Sequence, residues 1–457
     1  MDYGEKRAMI LKGPLIKTLI AMALPLMFNN FIQTLYSLAD TYWVGNQLGT
    51  AELAAIILVF PVLYFSLSLG MGVNVAGTAL ISQYIGSSDS TQAKKIAGQM
   101  LSFALLMAVA ISLLGSLAAP YVLRGMGARG DVLLYAHQYL AIMLWELPAL
   151  FAFFVFNAIR QGQGDTYTPM VLNVSGVVLN IILDPVCIIL LGWGIQGVAI
   201  ATVFSRSIFA IYAVYTLFAH PNGIQLAPKD LRMERKTLAQ VIRVGLPASL
   251  GQSFAAFGFI ILNAFVIAYG EDTLAAFGIG NRLSMMLIMP VMGIGTALAT
   301  MVGQNLGANQ LQRARQSVKA AATLSVSITV LGGSFLYLIA PYVVGLFIKD
   351  DLSVYQQSLE YIRLIAITMP LMSVFQILIG TFQGSGHTLY AMFMDMGRLW
   401  FLRIPMIILF GRLTGLGSRG VWYAMIISNA LICFFGWCLY RRGSWQKKVI
   451  HNDKQDS

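Results

Sequence analysis

Gln161-Gly162-Gln163-Gly164-Asp165-Thr166 returns 222 residues later as Gln383-Gly384-Ser385-Gly386-His387-Thr388, and this second appearance decides the fold. Upstream, Tyr139, Pro148 and Phe153 recur at the same shift as Tyr361, Pro370 and Phe375. With small insertions allowed, Ala119-Pro120-Tyr121-Val122 returns as Ala340-Pro341-Tyr342-Val343, and Gly192, Gly194, Gly197 and Val198 return as Gly415, Gly417, Gly420 and Val421. Solenoid repeats have periods of roughly 20–50 residues. A period this long marks two halves of one membrane machine instead. Two halves facing each other suggest a transporter.

Composition supports the membrane. Hydrophobic residues make up 58% of the chain and charged ones only 11%, against about 25% charged in a soluble domain. An α-helical span needs about 20 apolar residues, and twelve stretches qualify. Their cores are 15–41, 51–77, 96–120, 133–158, 168–191 and 195–218 in the first half, then 238–269, 275–301, 317–344, 356–381, 388–410 and 418–440 in the second. The expected fold is an all-α polytopic membrane protein with 12 transmembrane helices in two pseudo-symmetric six-helix lobes. An even number per half makes both lobes enter from the same side, related by an axis along the membrane normal. The expected divisions are an N-lobe over 1–219, a cytoplasmic linker over 220–237 with Pro221 and Pro228 as breakers, a C-lobe over 238–440 and a disordered basic tail over 441–457. The first apolar run is too long for a cleaved signal and is read as a retained span.

The net charge of +11 is explained by where the cations lie. With the N-terminus placed inside, twenty of the 30 Lys and Arg fall in cytoplasmic segments and five outside; the other five sit within spans. That bias puts both termini in the cytoplasm. It removes the need for a nucleic-acid partner, since the loops lack interleaved aromatics. Cys187, Cys433 and Cys438 lie in spans without ligand spacing, and the four His are scattered, so neither a disulfide framework nor a metal site is indicated. No GxxxxGK[ST], HExxH or GxSxG occurs. The chain reads as a non-enzyme without a cofactor, driven by an ion gradient, a partner or the substrate's own gradient, and as a monomer in contact with membrane lipid.

Charges inside spans carry the functional information, because each costs roughly 2.5–3.5 kcal/mol at the bilayer centre. Asn29, Gln33, Tyr36 and Asp40 share one helical face of the first span. In the fifth, Asn173, Asn180 and Asp184 align, and in the fourth so do Tyr139, Glu146 and Asn157. Three stripes predict a polar cavity in the first lobe. Asp395 and Arg398, three residues apart, are expected to satisfy each other as an ion pair. Arg206 and Arg282 read as inward-facing partners or inner-leaflet snorkels. Positions 222 residues after Asp40 and Asp184 are Leu262 and Met406, so any ion coupling belongs to the first lobe. The eighth span instead carries Met285, Met286, Met289 and Met292 along one side, a soft surface suited to packing or to varied apolar ligands. Pro25 removes a backbone hydrogen bond inside the first span and is the expected hinge.

Twelve spans in two lobes fit the major facilitator superfamily as well, but its acidic-arginine loop signature is absent: residues 86–95 read Gly-Ser-Ser-Asp-Ser-Thr-Gln-Ala-Lys-Lys. Other stretches resemble the multidrug and toxic compound extrusion (MATE) family. These are Ala39-Asp40-Thr41-Tyr42-Trp43-Val44-Gly45 with Leu48-Gly49-Thr50-Ala51-Glu52-Leu53-Ala54-Ala55, Gly303-Gln304-Asn305-Leu306-Gly307-Ala308 with its counterpart Ser82-Gln83-Tyr84-Ile85-Gly86, and Leu179-Asn180-Ile181-Ile182-Leu183-Asp184-Pro185. The resemblance covers roughly residues 10–445. It implies a V-shaped exporter of cationic or amphipathic organic compounds that exchanges them for H⁺, or less favourably Na⁺, by alternating access. Within the family the chain looks like the DinF-like branch. That branch implies coupling positions at Tyr36, Asp40, Asn157, Asn180, Asp184 and Thr202, with a possible Na⁺ site at Asp40, Asp184 and Asn180.

Two carboxylates in one partly dehydrated cavity invite a proton or a cation. Neutralising them would free the first helix to bend at Pro25 and loosen the hold on a cationic compound. Two readings compete with the exporter. A flippase for lipid-linked precursors, of the same superfamily, would need cavity cations to hold a pyrophosphate, for which Arg206, Arg282, Arg398 and Arg403 are available. A gated channel is disfavoured by the duplicated lobes and paired carboxylates.

Overall fold

A computed structural model of the chain describes residues 3–219, 223–348 and 351–450. The first three linker positions, Lys349 and the last seven tail residues of the sequence reading lie outside the described residues. A short helix, α1 (Tyr3–Lys12), precedes the spans. The first lobe holds α2 (Leu15–Gln47), α3 (Thr50–Gly86), α4 (Ser90–Gly125), α5 (Gly130–Leu144), α6 (Leu147–Gly162), α7 (Tyr167–Pro185) and α8 (Gly194–Ala219). The second holds α9 (Arg235–Ile267), α10 (Glu271–Gly307), α11 (Leu311–Phe347), α12 (Leu352–Gly384), α13 (Thr388–Met396), α14 (Ile404–Leu413) and α15 (Ser418–Arg442).

Twelve passes result. Among the described residues ten helical segments are long and apolar enough to cross a membrane singly, and α5 with α6, bent by 42°, makes another. The bend falls at Trp145 and Glu146, where Pro148 in the first turn of α6 cannot donate to the preceding helix. The remaining pass runs from Thr388 to Leu413 as α13, a π-helical stretch Gly397–Arg403 and α14. Its first-lobe counterpart α7 likewise ends in a π-helical turn, Val186–Leu190, directly after Pro185. Loops repeat as well: Ser88 and Asn309, two residues after the equivalent Gly86 and Gly307, both take the left-handed backbone.

The lobes meet at the end that carries the termini and splay at the other. Gly70–Gly86 of α3 and Gly293–Gly307 of α10 are largely buried, and glycines bring their backbones together. A Cβ on Gly86 would overlap the Gln304 carbonyl, and one on Gly307 would overlap that of Gln83. Two side-chain bonds cross the seam in pseudo-symmetric fashion: Gln83 Nε2 donates to the Gly384 carbonyl at 3.4 Å, and Gln304 Nε2 donates to that of Gly162 at 2.8 Å. The repeated Gln-Gly motifs that reveal the duplication are therefore part of the closure.

Helix starts are exchanged at this seam. Leu19, Met22 and Ala23 of α2 are buried in the core of the second lobe, while Val241 and Val244 of α9 are buried in that of the first. Leu19 and Val241, like Met22 and Val244, are equivalent positions 222 residues apart. Each crossing helix then passes a proline, Pro25 or Pro247, and returns to its own lobe.

The tail departs from expectation. Residues 443–450 are ordered: Trp445 is fully buried, the Val449 amide donates to Gln83 Oε1 at 3.1 Å, and Gln240 Nε2 donates to the Val449 carbonyl at 2.8 Å. Buried apolar area and seam hydrogen bonds outweigh the disorder that a basic composition suggests. On the same face Arg7 of α1 donates to the carbonyls of Ile85 (2.9 Å) and Gly86 (3.0 Å), and Arg313 reaches those of Ile10 and Gly13. The linker also docks: Ser102 donates to the Leu231 carbonyl at 2.8 Å, and Lys95 pairs with Glu234 at 2.7 Å.

Candidate functional site

Two polar regions lie between the closed seam and the open end, one inside the first lobe and one along the second. In the first, α7 presents Asn180 and Asp184 one turn apart, and both are about 99% buried. Asn180 Nδ2 donates to Asp184 Oδ1 at 3.2 Å and to Thr202 Oγ1 of α8 at 3.4 Å, while the Thr202 hydroxyl donates to the Val198 carbonyl at 3.0 Å. Asp184 Oδ2 and Asn180 Oδ1 remain buried acceptors without a donor. Such orphaned oxygens are costly unless a proton or cation joins them. Across from them on α2, Tyr36 is within reach of the Thr202 hydroxyl, and Asp40 is within electrostatic reach of Asp184.

Of the two places the sequence left open for Arg206, it takes the inward-facing one: it donates to Glu146 Oε1 at 2.8 Å and lies over the Tyr36 ring, 5.5 Å from its centroid. The bend between α5 and α6 is what delivers Glu146, 98% buried, to this partner. Tyr139, buried one face away, is within electrostatic reach of Asp40, Glu146 and Arg206. The set thus holds three carboxylates and one guanidinium: Glu146 and Asp40 are within reach of Arg206, and Asp184 is within reach of Asp40. The arithmetic leaves two negative charges for a proton or cation to balance. The available signal was the presence of Glu146 and Arg206 as intramembrane charges of opposite sign in one lobe.

Other expected members lie elsewhere. Asn173 Nδ2 donates to Asn29 Oδ1 at 2.7 Å, tying α7 to α2 nearer the closed end. Asn157 does not join the carboxylates: its amide oxygen accepts from Gln161 Nε2 at 2.8 Å. The 42° bend separates it from the face that Tyr139 and Glu146 share, so one helical stripe becomes two. Gln33 is exposed on α2.

The second region is a cavity of about 1320 Å³ between the lobes, bordered by α2, α3, α9, α10 and α12. Met285, Met289 and Met292 all line it, with Met286, and Thr34 of α2 approaches Met289 Sδ at 3.9 Å. Aromatic walls come from Phe60, Tyr64, Phe65 and Phe257. Its charged lining is Arg282, Asp395, Arg398 and Arg403. The expected Asp395–Arg398 ion pair is absent, with no N···O contact within 4 Å among the described residues. The π-helical turn beginning at Gly397 displaces Arg398 from α-helical register with Asp395, and its guanidinium lies over Phe375, 4.6 Å from the centroid. Arg282 faces this cavity, not the inner leaflet.

Outside the spans, Asp165 of the repeated motif pairs with Lys6 at 3.1 Å. Burial alone would push its carboxyl up. The hydroxyl and amide of Thr168, at 2.7 and 3.2 Å, and the Lys6 ammonium outweigh that and hold it below the usual carboxylate range.

A family model described as MatE matches residues 25–186 and 247–409, once in each half. The chain is similar to the probable multidrug resistance protein YoeA of Bacillus subtilis (strain 168), 28% identical over 442 residues that cover 93% of either chain. It is also similar to an FAD transporter of Shewanella oneidensis (strain MR-1), 27% identical over 93% of this chain and 95% of that one. Among solved structures it matches the outward-facing conformation of a multidrug resistance MATE family transporter of the MOP superfamily, with a TM-score of 0.89, 29% identity and coverage of 96% and 98% of the two chains.

Proposed function

This chain belongs to the MatE family, and we propose that it exports amphipathic organic compounds, cationic ones included, across a bacterial inner membrane in exchange for protons. Relatives named for multidrug resistance support the export of small organic molecules, and one named for FAD widens the range. A single observation carries the coupling: three carboxylates, Glu146 and Asp184 buried and Asp40 partly so, with one guanidinium among them, and with Asp184 Oδ2 and Asn180 Oδ1 lacking donors. A proton is favoured over Na⁺ because Asp184 and Asn180 offer only two orphaned oxygens, whereas hard cations gather larger oxygen sets.

In this mechanism the chain works as a monomer with both termini cytoplasmic, so the closed seam faces the cytoplasm and the cavity faces outward. Protonation at Asp40 and Asp184 would remove their repulsion and let α2 move at Pro25. Because α2 begins in the core of the second lobe and ends in the first, such a movement changes the angle between lobes. Each proton entering down about 100 mV contributes about 2.3 kcal/mol, equivalent to roughly a fifty-fold substrate gradient if one net charge moves.

Ethidium efflux from cells producing wild type, Asp40→Asn or Asp184→Asn, with pH and sodium gradients imposed separately, tests this reading. We expect efflux driven by the pH gradient in wild type and lost in both variants. Variants that export as well as wild type would sink first-lobe coupling. The second reading, a flippase for lipid-linked precursors, is favoured by the three arginines of the cavity.

A further inference from the structure

The charges of the two lobes are inverted. In the first, α8 supplies Arg206 to a carboxylate set. The position matching Arg206, at the 223-residue shift of Gly197 and Gly420, is Asn429 of α15. There the cation comes from the other helix: Arg403 Nη2 donates to Asn429 Oδ1 at 2.7 Å, and Nε donates to Ser428 Oγ at 3.1 Å. Both partners are neutral. Arg398, one π-helical turn earlier, donates to Met372 Sδ at 3.7 Å and lies over the Phe375 face; Asp395 is within electrostatic reach but makes no ion pair with it, and its Nε is buried without a partner. Arg403 and Arg398 are 95% and 92% buried, yet both line the cavity. Across it Arg282 is exposed, with no hydrogen bond or ion pair among the described residues.

Three guanidinium groups against Asp395 leave the cavity wall with two uncompensated positive charges, 3 − 1. A buried guanidinium without a counter-charge is destabilising, because nothing offsets its loss of hydration. Planar forks of this kind match phosphate and carboxylate oxygens bidentately. We propose that Arg282, Arg398 and Arg403 form a subsite for the anionic group, phosphate or carboxylate, of an amphiphile whose apolar body lies on the Met285–Met292 face. This deepens the export reading by adding a substrate class to the lipophilic cations: molecules that join a flat apolar body to an anion. The first lobe then carries the cation or proton, and the second the anion.

FMN and riboflavin test this, since they share one ring system and differ by a phosphate. Their affinities for the purified full chain in detergent are read by flavin fluorescence. FMN is expected to bind at least about ten-fold tighter, as charge-assisted bonds allow, with the preference reduced in Arg403→Gln and partly kept in Arg403→Lys. Because Arg403 braces α15, Arg282→Gln is the second variant; it disturbs no internal bond and should still lower the preference. Equal affinities, absence of FMN binding, or a preference unchanged in both glutamine variants would overturn the proposal. Inorganic pyrophosphate that displaces FMN supports a soluble source of the anion; displacement only by a lipid diphosphate in nanodiscs supports a headgroup in the same subsite. The two readings fail separately: gradient-driven export without FMN preference overturns the subsite alone, whereas FMN preference without export supports the subsite and overturns coupling.

Discussion

At the scale of single residues, the chemistry turns on which charges have partners. Glu146 and Arg206 satisfy each other inside the lobe, whereas Asp184 keeps an acceptor without a donor. Glu146 is buried while the Arg206 side chain is 32% exposed, and Asp40 stays within electrostatic reach of that guanidinium, so it is not stranded when Glu146 is removed. Glu146→Ala should therefore lower thermal stability in detergent by about 1.5–3 kcal/mol, the usual worth of a hydrogen bond to a charged group, and the double change with Arg206→Leu, which also takes the cation away from Asp40, should not recover it. Asp184→Asn should leave stability near wild type while abolishing coupled transport, because no cation depends on it for an ion pair. Asp165 gives a pH signature. Its folded carboxyl lies below the unfolded range, so it stabilises above the unfolded pKa and that stabilisation is lost as pH falls through the folded value. A melting series from roughly pH 6 down to 3 should show wild type losing its advantage over Asp165→Asn as the medium is acidified; an advantage that persists at the acid end would refute the Lys6–Asp165 contribution. The stripes of Asp40 and Asp184 were legible from helical spacing. For Arg206 an inward-facing place was one of two left open, and its partner Glu146 was not legible, because helical spacing says nothing of which helix faces which.

Among elements, the informative ones are those whose regularity breaks. A proline in α2 and an equivalent one in α9 follow segments buried in the opposite lobe, so each helix joins the two bodies. The π-helical turns of α7 and of the α13–α14 pass lie where the two lobes differ in charge. The extra residue per turn explains why the i, i+3 spacing of Asp395 and Arg398 misled: periodicity arguments assume 3.6 residues per turn. Similarly, the aligned stripe of Tyr139, Glu146 and Asn157 assumed one straight helix. The seam of α3 against α10 depends on having no Cβ at Gly86 and Gly307. Gly86→Ala and Gly307→Ala should wedge it open by forcing backbone apart. In a background without Cys187, Cys433 and Cys438, a cysteine at Gln83 should then react faster with a membrane-impermeant maleimide from the terminal side; unchanged labelling would show that the seam absorbs a methyl group.

For the whole molecule, the duplication places two like bodies about one seam, and the ordered ends lock it. Trp445 and Val449 bind to both halves through Tyr440, Gln83 and Gln240. Trp445→Ala should destabilise the closed seam by about 3–5 kcal/mol, the usual cost of removing a buried Trp, and shift the population toward a state open at the terminal end. Double electron–electron resonance between spin labels on α3 and α10 at that end reads the shift; distances identical to wild type would refute a locking role. The sequence by itself determined the membrane class, the twelve passes, the two halves and the acidic positions of the first lobe. Hydropathy, the 222-residue repeat and helical spacing are properties of the chain taken in order. Only the tertiary structure decided that helix starts exchange between cores, that Arg206 neutralises Glu146, that the tail is buried, and that the second lobe turns three arginines toward the cavity. Those facts depend on bends, π-turns and contacts between residues distant in the chain, for which one-dimensional periodicity carries no term.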